Sequence, residues 1–149
     1  MYDNRKTAAL FHDTGFLDVY AKNEPQGCER ARKYLPQFGY SPDQIETICK
    51  CIMATQLPQS PGDCKLSQVL CDADLGHLGT DLYFLKSESL RLELSRVHKK
   101  PITPLDWNVS NLEFLQKHNY FTKSANRLLK PVKENNLELN KKLVEGKSQ

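Results

Sequence analysis

The four residues Ser41-Pro42-Asp43-Gln44 constrain this chain more tightly than any others. A serine that can cap, a proline suited to the first helical position and a glutamine that completes a capping box together mark a helix start. From there Ile45, Ile48, Cys49 and Ile52 recur at i, i+3, i+4 and i+7, one face of a 3.6-residue period. The same period organises most of the chain, and no segment of any length alternates with the two-residue period of a strand. The expected fold is all-α, without internal repeats. At 149 residues the chain can enclose one real core and is too short for two comfortable ones. A single helical domain over residues 1–149 is therefore expected.

The remaining helices follow from similar signals. A first is expected over 4–13, with Ala8, Leu10 and Phe11 on its apolar face and Gly15 beyond its end as a stop. A loop through Asn23-Glu24-Pro25-Gln26 leads to a second helix near 26–36, where Cys28, Ala31, Tyr34 and Leu35 fall at helical spacing and Pro36 and Gly39 end the run. Residues 57–63, with two prolines and a glycine, read as a loop. Leu66, Val69, Leu70 and Ala73 form a fourth stripe that ends by Gly76–Gly79. Ser87 opens a fifth helix through Leu90, Leu94 and Val97, and Thr103-Pro104 opens a sixth that carries Trp107, Phe114 and Leu115. Thr122 caps a charged terminal helix over 122–149, which Pro131 should kink or split by removing a hydrogen bond and crowding the preceding turn.

Composition narrows the function classes. Hydrophobic residues at 39% and charged residues at 26% are ordinary for a globular protein. The net charge of +3 is mild, and much of the excess lies in Lys130, Lys133, Lys141, Lys142 and Lys147. That pattern reads as a solvated terminal helix, so no nucleic-acid partner is expected. No apolar run approaches the roughly 20 residues that span a bilayer, and no signal-peptide pattern precedes the first helix, which makes the cytoplasm the expected compartment. Five cysteines, an odd number, suggest free reduced thiols. Cys49-Lys50-Cys51 has the wrong spacing for a zinc knuckle and reads as core.

Two short strings carry candidate chemistry. The apolar run AALFHDTGF holds His12-Asp13, and CDADLGHLG downstream offers Asp72, Asp74 and His77. Hard divalent metals that act on phosphates take carboxylate oxygens and imidazole nitrogens of this kind. Neighbours on a helix point about 100° apart, so His12 and Asp13 converge on one ion only if the helix ends there. Thr14-Gly15 supplies that ending. Asp74 adjoins Ala73 on the inward stripe of the fourth helix, where a carboxylate without a partner is expensive to bury. A metal, a buried lysine or helix-capping amides would each offset that cost. His77 reads as a helix-end cap or a side chain aimed at the site, while His98 and His118 read as structural. Trp107, Phe114, Tyr120 and Phe121 read as packing, Thr55-Gln56 as a polar helix end or a phosphate contact, and Lys65 as a solvated loop lysine.

These strings, with LPQFGYSPDQIETICKCIMAT, LPQSP, WN and FLQKHNYFT, resemble the HD-domain superfamily of metal-dependent phosphohydrolases, in particular a bacterial subgroup sometimes joined to adenylate cyclase or membrane sensor modules. The resemblance runs over nearly the whole chain. It implies that His12, Asp13 and Asp74 are metal ligands, that Asp13 bridges ions or takes the proton of the attacking water, and that Asp72 orients a ligand or water from behind. It also exposes departures. The family's upstream histidine would lie before residue 1, so the resemblance implies an N-terminally shortened domain. Asn23 stands where a histidine contributes in relatives, and Gly76 replaces a common acidic residue.

The expected function is metal-dependent hydrolysis of a phosphate ester, with a nucleotide as one candidate substrate and Mn, Mg, Fe or Ni as the divalent ion. The alternative is a catalytically degraded HD domain that binds a nucleotide or a partner. Loss of the first helix would also uncover apolar surface, which implies self-association.

Overall fold

The computed structural model describes residues 4–146. Lys147 and the last residues of the expected terminal helix lie outside them. The all-α expectation holds: eight α-helices and three short 3-10 turns account for the regular structure, with no strand among the described residues. The chain gathers into two compact units, Met1–Asp74 and Leu75–Gln149.

The first unit contains α1 (Asn4–Phe11), a 3-10 turn at Thr14–Leu17, α2 (Glu24–Tyr34), a second turn at Leu35–Phe38, α3 (Pro42–Ala54) and α4 (Lys65–Asp74). Helix α3 forms as its sequence dictates. The Ser41 hydroxyl accepts from the Gln44 amide at 3.3 Å, while the Gln44 side chain accepts from the Ser41 amide at 2.9 Å. Ile45, Ile48, Cys49 and Ile52 are all buried and join Ala8, Cys28, Ala31, Leu35 and Leu70 in one core. Each isoleucine removed from water there contributes about 1.5–3 kcal/mol. Gly39, at φ 78°, takes the left-handed conformation that lets the chain turn into α3.

Several inward faces differ from expectation. In α1 the buried face is Thr7 and Ala8 with Phe11 half-buried, whereas Leu10 is 75% exposed. Thr7 is tolerated inside because its hydroxyl meets the Tyr40 hydroxyl at 2.6 Å. Helix α2 starts earlier than expected, at Glu24 with Pro25 in its first turn, and Tyr34 points outward. Helix α4 is turned relative to its expected stripe: Ser67, Leu70 and Cys71 face in, while Val69 and Ala73 are exposed. Small side chains explain this, because they let α4 lie close to α3. The Cys71 thiol donates to the Ala54 carbonyl at 3.2 Å, and the Ser67 hydroxyl meets the Cys51 sulfur at 3.6 Å.

The second unit contains a 3-10 turn at Gly76–Gly79, α5 (Tyr83–Val97), α6 (Pro104–Lys117), α7 (Lys123–Leu128) and α8 (Lys130–Glu145). The caps at Thr103 and Thr122 form as expected, accepting from the amides of Asp106 and Ala125. The terminal helix is split, with Pro131 in the first turn of α8. Ser87 does not cap. It lies inside α5, and its hydroxyl accepts from Trp107 Nε1 at 2.9 Å and Asn111 Nδ2 at 2.8 Å. Leu90 and Val97, expected to face inward, are exposed, as is Phe121. The apolar core is small: Leu75, Leu78, Tyr83 and Leu115, with Phe84, Phe114 and Leu137 beside it.

Among the described residues no helix is long and apolar enough to cross a membrane. All five cysteines are free, and only Cys64 is exposed.

Candidate functional site

Helix α1 ends just before the His-Asp pair, two residues earlier than the expected 13. The His12 amide makes the last helical bond, to the Ala8 carbonyl at 2.9 Å, and the Thr14 hydroxyl takes up the Phe11 carbonyl at 2.8 Å. The chain then tightens into the turn at Thr14–Leu17. Gly15 is not the left-handed stop that the sequence suggests; it is a close-approach glycine. A Cβ there would fall 1.8 Å from the Asn23 carbonyl oxygen. Gly27 does the same from α2, where a Cβ would sit 3.0 Å from the Phe11 oxygen and 3.4 Å from the His12 oxygen. The two glycines press the start of α2 against the backbone that carries the pair, which fixes that backbone in place.

Because α1 has ended, the two side chains converge. His12 Nε2 lies 3.2 Å from Asp13 Oδ2 and 3.6 Å from Asp74 Oδ1. On the other side of the ring, Nδ1 donates to the Ala9 carbonyl at 2.8 Å. That bond fixes the orientation of the ring and turns Nε2 toward the carboxylates. Hydrogen bonds donated to the carboxylates of Asp13, then Asp74, outweigh burial and push the His12 imidazole pKa up to about 10. Both carboxylates thus favour the charged form of the ring.

Asp74 is the last residue of α4, at i+7 from Ser67 on the buried stripe. A carboxylate at a helix C-terminus opposes the negative end of the macrodipole, which disfavours it by about 0.3–1 kcal/mol. Neither a lysine nor a backbone amide offsets this. The compensating groups are the His12 ring and Gln59, whose Nε2 donates to Asp74 Oδ2 at 2.9 Å. Gln59 lies in the loop before α4 and has no periodic pattern to betray it; only its place in LPQSP could have drawn notice. Its own Oε1 is buried with no hydrogen-bond partner. Asn23 Oδ1 and Glu24 Oε2, at the start of α2, are buried and unpartnered as well.

Asp72 is buried, two residues from Asp74 and so about 200° around α4 from it. Thr55 is buried, and its hydroxyl bonds back to the Ile52 carbonyl at 2.7 Å, as a helix-end residue does. Lys65 is exposed and reaches Gln68 at 3.1 Å. His77 belongs to the 3-10 turn of the second unit, and His98 caps the end of α5.

Among the described residues no group of three or more His, Cys, Asp or Glu side chains stands ready-made around an ion position. His12, Asp13 and Asp74 are engaged with one another. Their donor types are those a divalent ion takes, and the 3.2 and 3.6 Å from His12 Nε2 to the two carboxylates are near the roughly 3–3.5 Å that separates neighbouring ligands on one metal. The unpartnered Gln59 oxygen beside Asp74 is a further hard donor. No family model matches the chain, and no curated protein or solved structure matches it.

Proposed function

We propose that the chain is an HD-type metal-dependent phosphohydrolase whose divalent ion is held by His12, Asp13 and Asp74. The single observation that carries this reading is the orientation of His12, with Nδ1 committed to the Ala9 carbonyl and Nε2 turned to carboxylates from two separate parts of the chain. Once deprotonated at Nε2, the ring presents its lone pair where both carboxylates already point. Gln59 holds Oδ2 of Asp74 and leaves Oδ1 for the site. Asp13, the most exposed of the three, is free to accept the proton of an attacking water. A divalent ion would supply the Lewis acid that polarises a phosphoryl oxygen and acidifies that water. The substrate class is a phosphate ester, with nucleotides among the candidates.

The test is calorimetric titration with Mn, Mg, Fe or Ni, followed by phosphatase assays on a nitrophenyl phosphate and a set of nucleotides. Saturable binding at one site, lost in His12→Ala and Asp74→Ala variants that remain folded, supports the reading. Absence of both binding and turnover with every ion overturns it.

A second reading is favoured by Asn23, a neutral amide where the resemblance places an imidazole. In it the domain binds a nucleotide without turnover. Nucleotide binding with no hydrolysis under any metal would select it. Exposed Leu10, Phe16 and Leu17 in the first unit support the expectation of self-association, which sedimentation velocity checks.

A further inference from the structure

Gln59 reaches the His12–Asp13–Asp74 cluster from a loop that is tied down at both ends. Pro58 and Pro61 restrict the backbone on either side of it. The Ser60 amide donates to the Ala54 carbonyl at 3.1 Å, and Gln68 Nε2 donates to the Gly62 carbonyl at 2.7 Å. The loop is thereby pinned to the end of α3 and to the first turn of α4, the helix whose last residue is Asp74. Gln59 Nε2 donates to Asp74 Oδ2 at 2.9 Å. Chemistry fixes which end of the amide faces Asp74, because an ionised carboxylate only accepts. The other end, Oε1, is buried and has no hydrogen-bond partner among the described residues.

Packing does not explain a glutamine at this position. A buried acceptor without a donor is unfavourable, and a methionine of similar reach would fill the space without that penalty. What the amide adds is its bond to Asp74. That bond divides the carboxylate: Oδ2 carries Gln59, and Oδ1 is the oxygen 3.6 Å from His12 Nε2.

We propose, as an extension that rests on the metal-binding role of His12, Asp13 and Asp74, that Gln59 is the positioning residue that makes Asp74 a one-oxygen ligand and so sets which divalent ion the site prefers. Ions differ in what they ask of a carboxylate. Calcium takes six to eight oxygens at about 2.3–2.6 Å and accepts both oxygens of one carboxylate. Magnesium and manganese favour octahedral geometry, and the two oxygens of one carboxylate lie too close together to occupy two corners of a regular octahedron. Holding Oδ2 on an amide N–H keeps it from joining Oδ1 on the ion. The Gln59 bond therefore favours the octahedral ions and disfavours calcium.

The experiment measures manganese and calcium affinities of the full chain by calorimetry, for wild type and for Gln59→Met and Gln59→Glu. Both variants keep the reach of the side chain and remove its N–H donor. Wild type should prefer manganese. Each variant should lose manganese affinity by about 10–100-fold, the usual effect of removing a side chain that orients a ligand, and should hold or gain calcium affinity, so that the preference falls at least about tenfold. Equal urea midpoints in chelator establish that the variants are folded. Independently of these variants and of any metal, the Gln59 side-chain amide protons of wild type should exchange with solvent more slowly than those of the exposed Gln116, and Asp74→Ala should abolish that protection. Manganese bound by all three chains with an unchanged preference overturns this inference alone, as do Gln59 protons that exchange as fast as those of Gln116. A wild-type chain that binds neither ion overturns the metal reading and this inference with it.

Discussion

The two units of this chain are held together by different means. In Met1–Asp74 a large apolar cluster runs from Ala8 through Cys28, Ala31 and Leu35 to Ile45, Ile48 and Ile52, and the buried polar side chains, Thr7, Asn23, Thr55, Ser67 and Asp72, are short. In Leu75–Gln149 the apolar core is short, and long polar side chains fill the interior instead. Asn136 donates to the carbonyls of both Leu78 and Thr80 at 3.0 Å, Asn140 donates to the Asn108 carbonyl at 2.7 Å, and the Lys133 ammonium donates to the His118 carbonyl. Burial lowers the tendency of Lys133 to stay charged. Apolar packing rewards volume wherever it is placed, whereas a buried amide is satisfied in only one geometry. The first unit is thus fixed by how much it buries, the second by where its carbonyls stand.

The contrast is open to attack by substitution. The largest effect is expected in the first core, where Ile52→Ala should cost about 2–5 kcal/mol in urea unfolding, because α3 cannot collapse to fill the space. A loss comparable to that of an exposed leucine such as Leu85, 67% exposed, would show that the apolar core is not what holds the first unit.

Close-approach glycines come next, one from each unit. Gly15→Ala places a methyl against the Asn23 carbonyl, and Gly79→Ala places one 2.4 Å from the Leu129 carbonyl. Backbone must shift in both cases, at about 1–3 kcal/mol by the usual cost of overpacking. Gly15→Ala should also weaken the His12–Asp13–Asp74 cluster, visible as a lower His12 pKa by NMR titration. Gly79→Ala should leave that pKa unchanged.

Asn136→Ala tests the second unit's device. It strips the donor from two carbonyls and should cost about 1–3 kcal/mol. If Asn136→Leu, which adds apolar volume, restored the stability, the distinction between the units would collapse.

A last test is the pH dependence of the first unit. His12 binds its proton more tightly folded, with a value pushed up to about 10 against 6.5 for an ordinary histidine. Its stabilising contribution is therefore complete below about 6.5 and is lost as pH rises through 10. In the presence of chelator, the stability difference between wild type and His12→Gln should shrink over that window. A difference that stays constant from pH 6 to 10 would contradict the ion-paired cluster.

Much of this architecture was legible because its signals are local. The Ser41 capping box, the caps at Thr103 and Thr122 and the break at Pro131 depend on residues within a turn of one another, and each appears where the sequence placed it. The faces were less legible. Leu10, Val69, Leu90 and Val97 fit a helical period yet point outward, because periodicity fixes the spacing of a stripe and not its direction. Ser87 looked like a cap and instead receives hydrogen bonds from Trp107 and Asn111, 20 and 24 residues away.

The candidate site divides along the same line. From the sequence alone came the helical class, the starts of α3, α6 and α7, and the His12-Asp13 pair at a helix end with Asp74 as its distant companion. The tertiary structure decided that His12 Nε2 turns to both carboxylates, that Gly15 serves close packing rather than a left-handed turn, and that Gln59 holds Asp74. The reason is physical. Caps and periods are set by hydrogen bonds within a few residues, whereas the partner of a buried carboxylate is chosen by whichever side chain the packed helices deliver to it.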